Sequence, residues 1–100
     1  MFKNEKYATV GINHDIDFLL QVYLWNLIDK LGEFMPLDYL QVFEIEAYER
    51  DGKLLQKIIH IQEVPPYRKQ YLLESINPSS AKIFVIDDED HSTMLLAEEY

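Results

Sequence analysis

Residues 17–31 leave this chain little choice of local structure. Leu20, Tyr23, Leu24, Leu27, Ile28 and Leu31 recur at the spacing that gathers side chains into one stripe along an α-helix. Residues 13–17 offer capping side chains, Gly32 stands where such a helix ends, and Pro36 follows. A second apolar stripe, Phe18, Val22 and Trp25, lies roughly a third of a turn away. Burying such side chains is worth about 1.5–3 kcal/mol each, so the pattern predicts a helix that needs cover on two sides.

The remainder reads as strands. Residues 7–11, partly β-branched and closed by Gly11, suit a first strand. In residues 39–48, Glu44 and Glu46 alternate with Phe43, Ile45 and Ala47, which describes a strand with one wet face. Asp51-Gly52 joins it to residues 54–62, and the three parts predict a hairpin. Pro65 and Pro66 cannot donate to a ladder and mark an exit from it. Residues 67–74 then fit a third antiparallel strand with Tyr67, Lys69, Tyr71 and Leu73 on one face, a short helix being the competing reading. A turn at 77–80 leads into a buried strand at 82–86, a solvated acidic loop at 87–90, and a short C-terminal helical tail capped by Ser92 or Thr93.

This order predicts an α+β fold in which one long helix packs on a curved antiparallel sheet of four to five strands. The sheet covers the first helix stripe. Met94-Leu95-Leu96, the apolar segment without another place, is expected to fold over Phe18, Val22 and Trp25. A second copy of the chain is the alternative cover, so a monomer and a homodimer through the Trp25 stripe both remain open.

One hundred residues, 48% of them apolar, supply one core, and residues 1–100 are expected to form a single domain. Eighteen acids against nine Lys and Arg give a net charge of −9. Residues 87–100 contain Asp87, Asp88, Glu89, Asp90, Glu98 and Glu99 and no basic side chain. Such a field repels phosphate backbones and anionic lipid, which excludes nucleic acid and membrane as expected partners. Acids clustered at one end do not imitate the phosphates of a duplex either. No apolar run approaches the roughly 20 residues of a membrane span, the first residues lack an apolar signal core, and a cytoplasmic location is expected. The absence of cysteine closes disulfide, thiolate-metal and cysteine-nucleophile chemistry.

Motifs with a mechanism are missing. The run 87–91 lacks the glycine and the closing glutamate of a helix-flanked calcium loop. His14, His60 and His91 show no i, i+4 pairing, so no metal or other cofactor is expected. His60 shares a strand face with Ile58 and Gln62, where it reads as a structural histidine unless another strand brings it a partner. Ser79-Ser80 and Ser92-Thr93 have no nucleophile context, and the three glycines are isolated, so no catalytic residue is assigned.

The segments LWNLID (24–29), LDYLQVFEI (37–45), QKIIHIQEVPPY (56–67) and STMLLAEEY (92–100) resemble a small bacterial family known only as a domain of unknown function. The resemblance spans nearly the whole chain. It implies a cystatin-like helix-and-sheet topology and carries no catalytic residues to transfer. The expected function is therefore a non-enzymatic interaction or regulatory module with an unidentified protein partner. Its candidate contact residues are Phe18, Val22, Trp25, Tyr67, Tyr71 and His60, with Tyr39 or Tyr48 joining the tyrosines if one face holds them. The alternative is a small-molecule binder or minor enzyme using the concavity between helix and sheet. A closed interior packed by Leu20, Leu24, Leu27, Phe43 and Ile59 would exclude it, whereas a cavity above roughly 300 Å³ would favour it.

Overall fold

The computed structural model describes residues 1–100. Along the chain run β1 (Glu5–Ala8), α1 (Val10–Asp15), α2 (Phe18–Gly32), β2 (Leu40–Arg50), β3 (Lys53–Gln62), β4 (Tyr67–Glu74), β5 (Ala81–Asp87) and β6 (His91–Leu96), then a 3-10 turn at Ala97–Glu99. The long helix forms as expected. Its cap is Asp17, whose carboxylate accepts from the Leu19 N–H at 3.1 Å and satisfies one of the donors a helix start leaves free. Leu24, Leu27, Ile28 and Leu31 are buried, while Leu20 and Tyr23 are half-buried. Gly32 is the last helical residue. Its lack of a side chain matters because a Cβ there would stand 3.1 Å from the Leu37 side chain. No helix is long and apolar enough to cross a membrane.

The hairpin also forms as expected, with Asp51 at φ 52° and Gly52 at φ 79°, the positive pair that matches the twist of a tight two-residue turn. Residues 67–74 are a strand, antiparallel to β3. The sheet is larger than expected, because six strands lie in the order β1-β6-β5-β2-β3-β4. It is also mixed, because β1 pairs parallel to β6.

Two elements differ from the sequence expectation. Thr9, Val10 and Gly11 do not extend β1. Thr9 instead caps α1, its hydroxyl accepting from the Ile12 N–H at 3.2 Å, and Ile12 and Ile16 enter the core. Residues 91–96 form β6 rather than a helical tail. Two strands have a place for them: β5 takes one edge and β1 the other, and backbone pairing on both sides outweighs the helix preference of Met and Leu. Phe18 and Val22 remain exposed, while Trp25 packs against the core cluster to which Met94 and Leu96 belong.

Asp87 is likewise no solvated loop residue. It ends β5 in a buried position, where its carboxylate accepts from the Phe2 N–H at 2.7 Å, the Glu89 N–H at 2.8 Å and the Asn4 side chain at 3.0 Å. Burial alone would raise its pKa, but these donors hold the carboxyl below its ordinary value. Phe2 adopts a left-handed φ of 63° and is 1% exposed, so its ring anchors this end of the core. Both helices pack on one side of the sheet, where Leu24, Ile28 and Ile12 meet Phe43, Ile58, Ile83 and Met94.

Candidate functional site

Strand register decides which side chains meet the helices. On β2, Gln41, Phe43 and Ile45 are buried while Val42 and Glu44 are not. Phe43 pairs with His60 and Ile83, so side chains of that parity form the covered face on all the neighbouring strands. The opposite parity makes a face on which no helix lies. Its central row crosses four strands: Leu95 pairs with Phe84, Phe84 with Val42, and Val42 with Ile61. The next row is Tyr7, Thr93, Ile86 and Leu40. On the other flank Ile59 lies beside Glu44, which in turn pairs with Lys82.

Val42, Ile59, Ile61, Phe84, Ile86 and Leu95 are all half-buried by one another, and together they make a continuous apolar lattice open to water. Tyr100 sets its ring edge-on to Phe84 with centroids 5.7 Å apart. Lys82 Nζ lies 5.8 Å from the same ring. Glu44, Glu46 and Lys82 are exposed around it. An apolar centre with a charged rim is the composition of a surface that associates. The sequence reading placed Ile59 in the interior and so missed this surface. Ile59 pairs with Glu44 and Gln70 on the open face, and Ile58 is the residue that turns inward.

His60 lies at the centre of the covered face and is 0% exposed. It stacks on Phe43 at 4.4 Å between centroids, and Tyr67 meets it edge-on at 5.4 Å. The partner the sequence could not show is Gln41. Its amide nitrogen donates to Gln62 Oε1 at 2.7 Å and to the Asp38 carbonyl at 3.0 Å, so its oxygen is left to accept from His60 Nε2 at 2.7 Å. That choice puts the proton on Nε2 and leaves Nδ1 without a partner. Burial lowers the imidazole pKa to about 4, which keeps the ring neutral near pH 7. Gln62 extends the chain of amides by donating to the Pro36 carbonyl at 3.1 Å and the Pro65 carbonyl at 2.9 Å. Sealed from solvent, His60 works as a polar fastener between β2, β3 and the loops beside them.

Of the other expected residues, Tyr67 and Tyr71 do share one face, the covered one. Their hydroxyls lie 3.4 Å apart, and Tyr23 of α2 meets Tyr71 edge-on at 6.4 Å. Burial first, then the Tyr71 hydroxyl, pushes the Tyr67 phenol up to about 12. Tyr48 does not join them, since it pairs with Leu55 on the open face, and Tyr39 precedes β2 and is exposed. Trp25 is half-buried against the core with Lys6 Nζ 5.6 Å from its ring. Phe18 is 70% and Val22 37% exposed.

No three His, Asp or Glu side chains gather where they could hold a metal ion. One apolar cleft of about 550 Å³ opens between the first turns of α2 and the end of β4, lined by Leu19, Leu20, Tyr23, Leu73 and Ile76. His60 is not among its walls.

The fold has a counterpart in a crystal structure from Enterococcus faecalis described as a protein of unknown function. It is 26% identical, covers 97% of this chain and 91% of its own, and superposes with a TM-score of 0.77. No curated protein matches. The family model described as "Staphylococcal protein of unknown function (DUF960)" matches residues 5–99, so the chain belongs to the DUF960 family, to which no activity has been assigned.

Proposed function

We propose that this chain is a non-enzymatic protein-interaction module of the cytoplasm that meets its partner through the open face of its sheet. The observation that carries this reading is the row Leu95, Phe84, Val42 and Ile61, flanked by Ile59 and Ile86 and covered by no element of the chain. Leaving such a lattice wet forgoes about 25 cal/mol for each Å² of apolar area, and a partner with a complementary apolar patch recovers it. Tyr7 and Tyr100 border the lattice and suit an interface, since their rings are amphipathic. The net charge of −9 disfavours acidic partners at long range. The supporting test compares proteins captured from native cytosol by the unmodified chain, by Ile61→Lys and by the helix-side control Phe18→Ser. A protein retained by the control and lost with Ile61→Lys supports the reading, and an unchanged set for all three overturns it.

A second reading rests on the 550 Å³ cleft beside α2, which has the size and apolar lining of a small-ligand site. Thermal shifts by metabolites that Leu73→Glu abolishes and Ile61→Lys leaves intact would favour it.

A further inference from the structure

The sheet ends in two unlike edges. β1 is a strand of four residues at one edge, while β4, with eight, forms the other and pairs only with β3. An unpaired strand of that length presents a row of free N–H and C=O groups, a template for another strand unless charges, prolines or bulges blunt it. Here the protection is partial. Pro65 and Pro66 lie before the strand and Arg68 and Lys69 mark its start, but Gln70-Tyr71-Leu72-Leu73 carries no charge. Leu72 is 41% exposed.

We infer that β4 pairs antiparallel with β4 of a second copy of the chain, in the register centred on Tyr71. Antiparallel partners point their side chains to the same face, so in a symmetric pair only residues of the same parity can stand opposite each other. The two longest registers are centred on Gln70 and on Tyr71. Centring on Gln70 sets Arg68 opposite the partner's Leu72 and Lys69 opposite the partner's Tyr71. Centring on Tyr71 sets Arg68 opposite the partner's Glu74, and by symmetry does so twice, with both pairs on the open face. Arg68 and Glu74 are exposed, and the single ion pair that Glu74 makes within the chain, to Lys53 at 3.1 Å, is solvent-exposed and weak. A register centred on Lys69 would oppose two ammonium groups.

The distribution of charge favours the same edge. Asp87, Asp88, Glu89, Asp90, Glu98 and Glu99 lie on or beside β5 and β6, toward the far edge, whereas Lys53, Lys57, Arg68 and Lys69 lie on β3 and β4. Two copies of a chain with net charge −9 meet with their acidic ends farthest apart when they join through β4. Such a pair doubles the six-stranded sheet and keeps both open faces on one side. The inference does not rest on the open face having a partner, because the row Leu95, Phe84, Val42 and Ile61 takes no residue from β4; Ile61 stays unchanged in its test, since it lies beside Arg68.

Sedimentation across a concentration series tests it, with circular dichroism confirming that each variant folds. The unmodified chain is expected to be a dimer. Arg68→Glu alone and Glu74→Arg alone each oppose like charges twice and should weaken the dimer about thirtyfold. The double variant R68E/E74R should dimerise again, and an equimolar mixture of the two single variants should form the heterodimer. A monomer at every concentration overturns the inference. So does a dimer that survives both single reversals, which would place the interface elsewhere.

Discussion

The two faces of the sheet come from the same strands and differ in an unexpected sense. The covered face holds the polar residues: Gln41, Gln56, His60 and Gln62 are all buried there among Phe43, Ile58 and Ile83. The open face at its centre is purer hydrocarbon, Val42, Ile59, Ile61, Ile86 and Leu95, and yet it stays wet. Burial is therefore not assigned by hydropathy residue by residue. Each buried amide is tolerated because it finds partners. Gln56 donates to the Ser79 carbonyl at 2.9 Å and accepts from the Ser79 N–H at 2.7 Å, while Gln62 bridges two loops, so desolvation is offset by hydrogen bonds.

The largest test of this contrast compares two phenylalanines. Phe43→Ala on the covered face should cost about 3–5 kcal/mol of unfolding free energy, as large cavities in packed cores do. Phe84→Ala on the open face should cost about 1 kcal/mol. Equal losses in urea titrations would break the distinction between the faces.

A second test uses acid. The folded chain holds His60 near a pKa of about 4, below the ordinary imidazole value of 6.5, so between those values the unfolded chain binds a proton that the folded chain refuses. Stability is therefore whole above pH 6.5 and falls as the pH drops toward 4, by on the order of 3 kcal/mol. His60→Phe should flatten that slope, although it leaves Gln41 Oε1 without a donor. Parallel slopes for the two proteins over this window would show that the imidazole is not sealed.

Smaller effects sharpen the picture. Gln62→Ala removes the acceptor of the Asp38 N–H and should cost about 1–3 kcal/mol, with faster hydrogen exchange at Asp38 as its local signature. Ile61→Lys should change stability by less than about 1 kcal/mol while abolishing capture of the open-face partner. A large loss of stability would mean that the open face is part of the core after all.

The sequence disclosed those parts of the fold whose signals are local. The α2 stripe, the Asp17 cap and the Asp51-Gly52 turn each act within a few residues, and the helix and hairpin follow from them. The strand nature of β6 was hidden because its cause is two neighbours contributed by distant segments. On β3 the pattern misleads outright: Ile59 and Ile61 suggest the buried side, yet Gln56, Ile58, His60 and Gln62 take it. A shift of one residue reverses every side chain of a strand, and here the choice is made by the acceptors and donors that only the assembled fold provides. The signal that would have found the open face is that same cluster of amides, since residues able to bond one another across strands need not face water.

The parallel seam between β1 and β6 also sets a timetable for the nascent chain. Glu5 sits beside His91, and the Phe2 N–H is held by Asp87, 85 positions later. Because synthesis runs from the N-terminus onward, residues 2–8 have no edge to join until residues 87–94 have left the ribosome. Phe2 and β1 therefore wait unpaired until residues 87–94 have been made, and closing this longest loop is expected to come last.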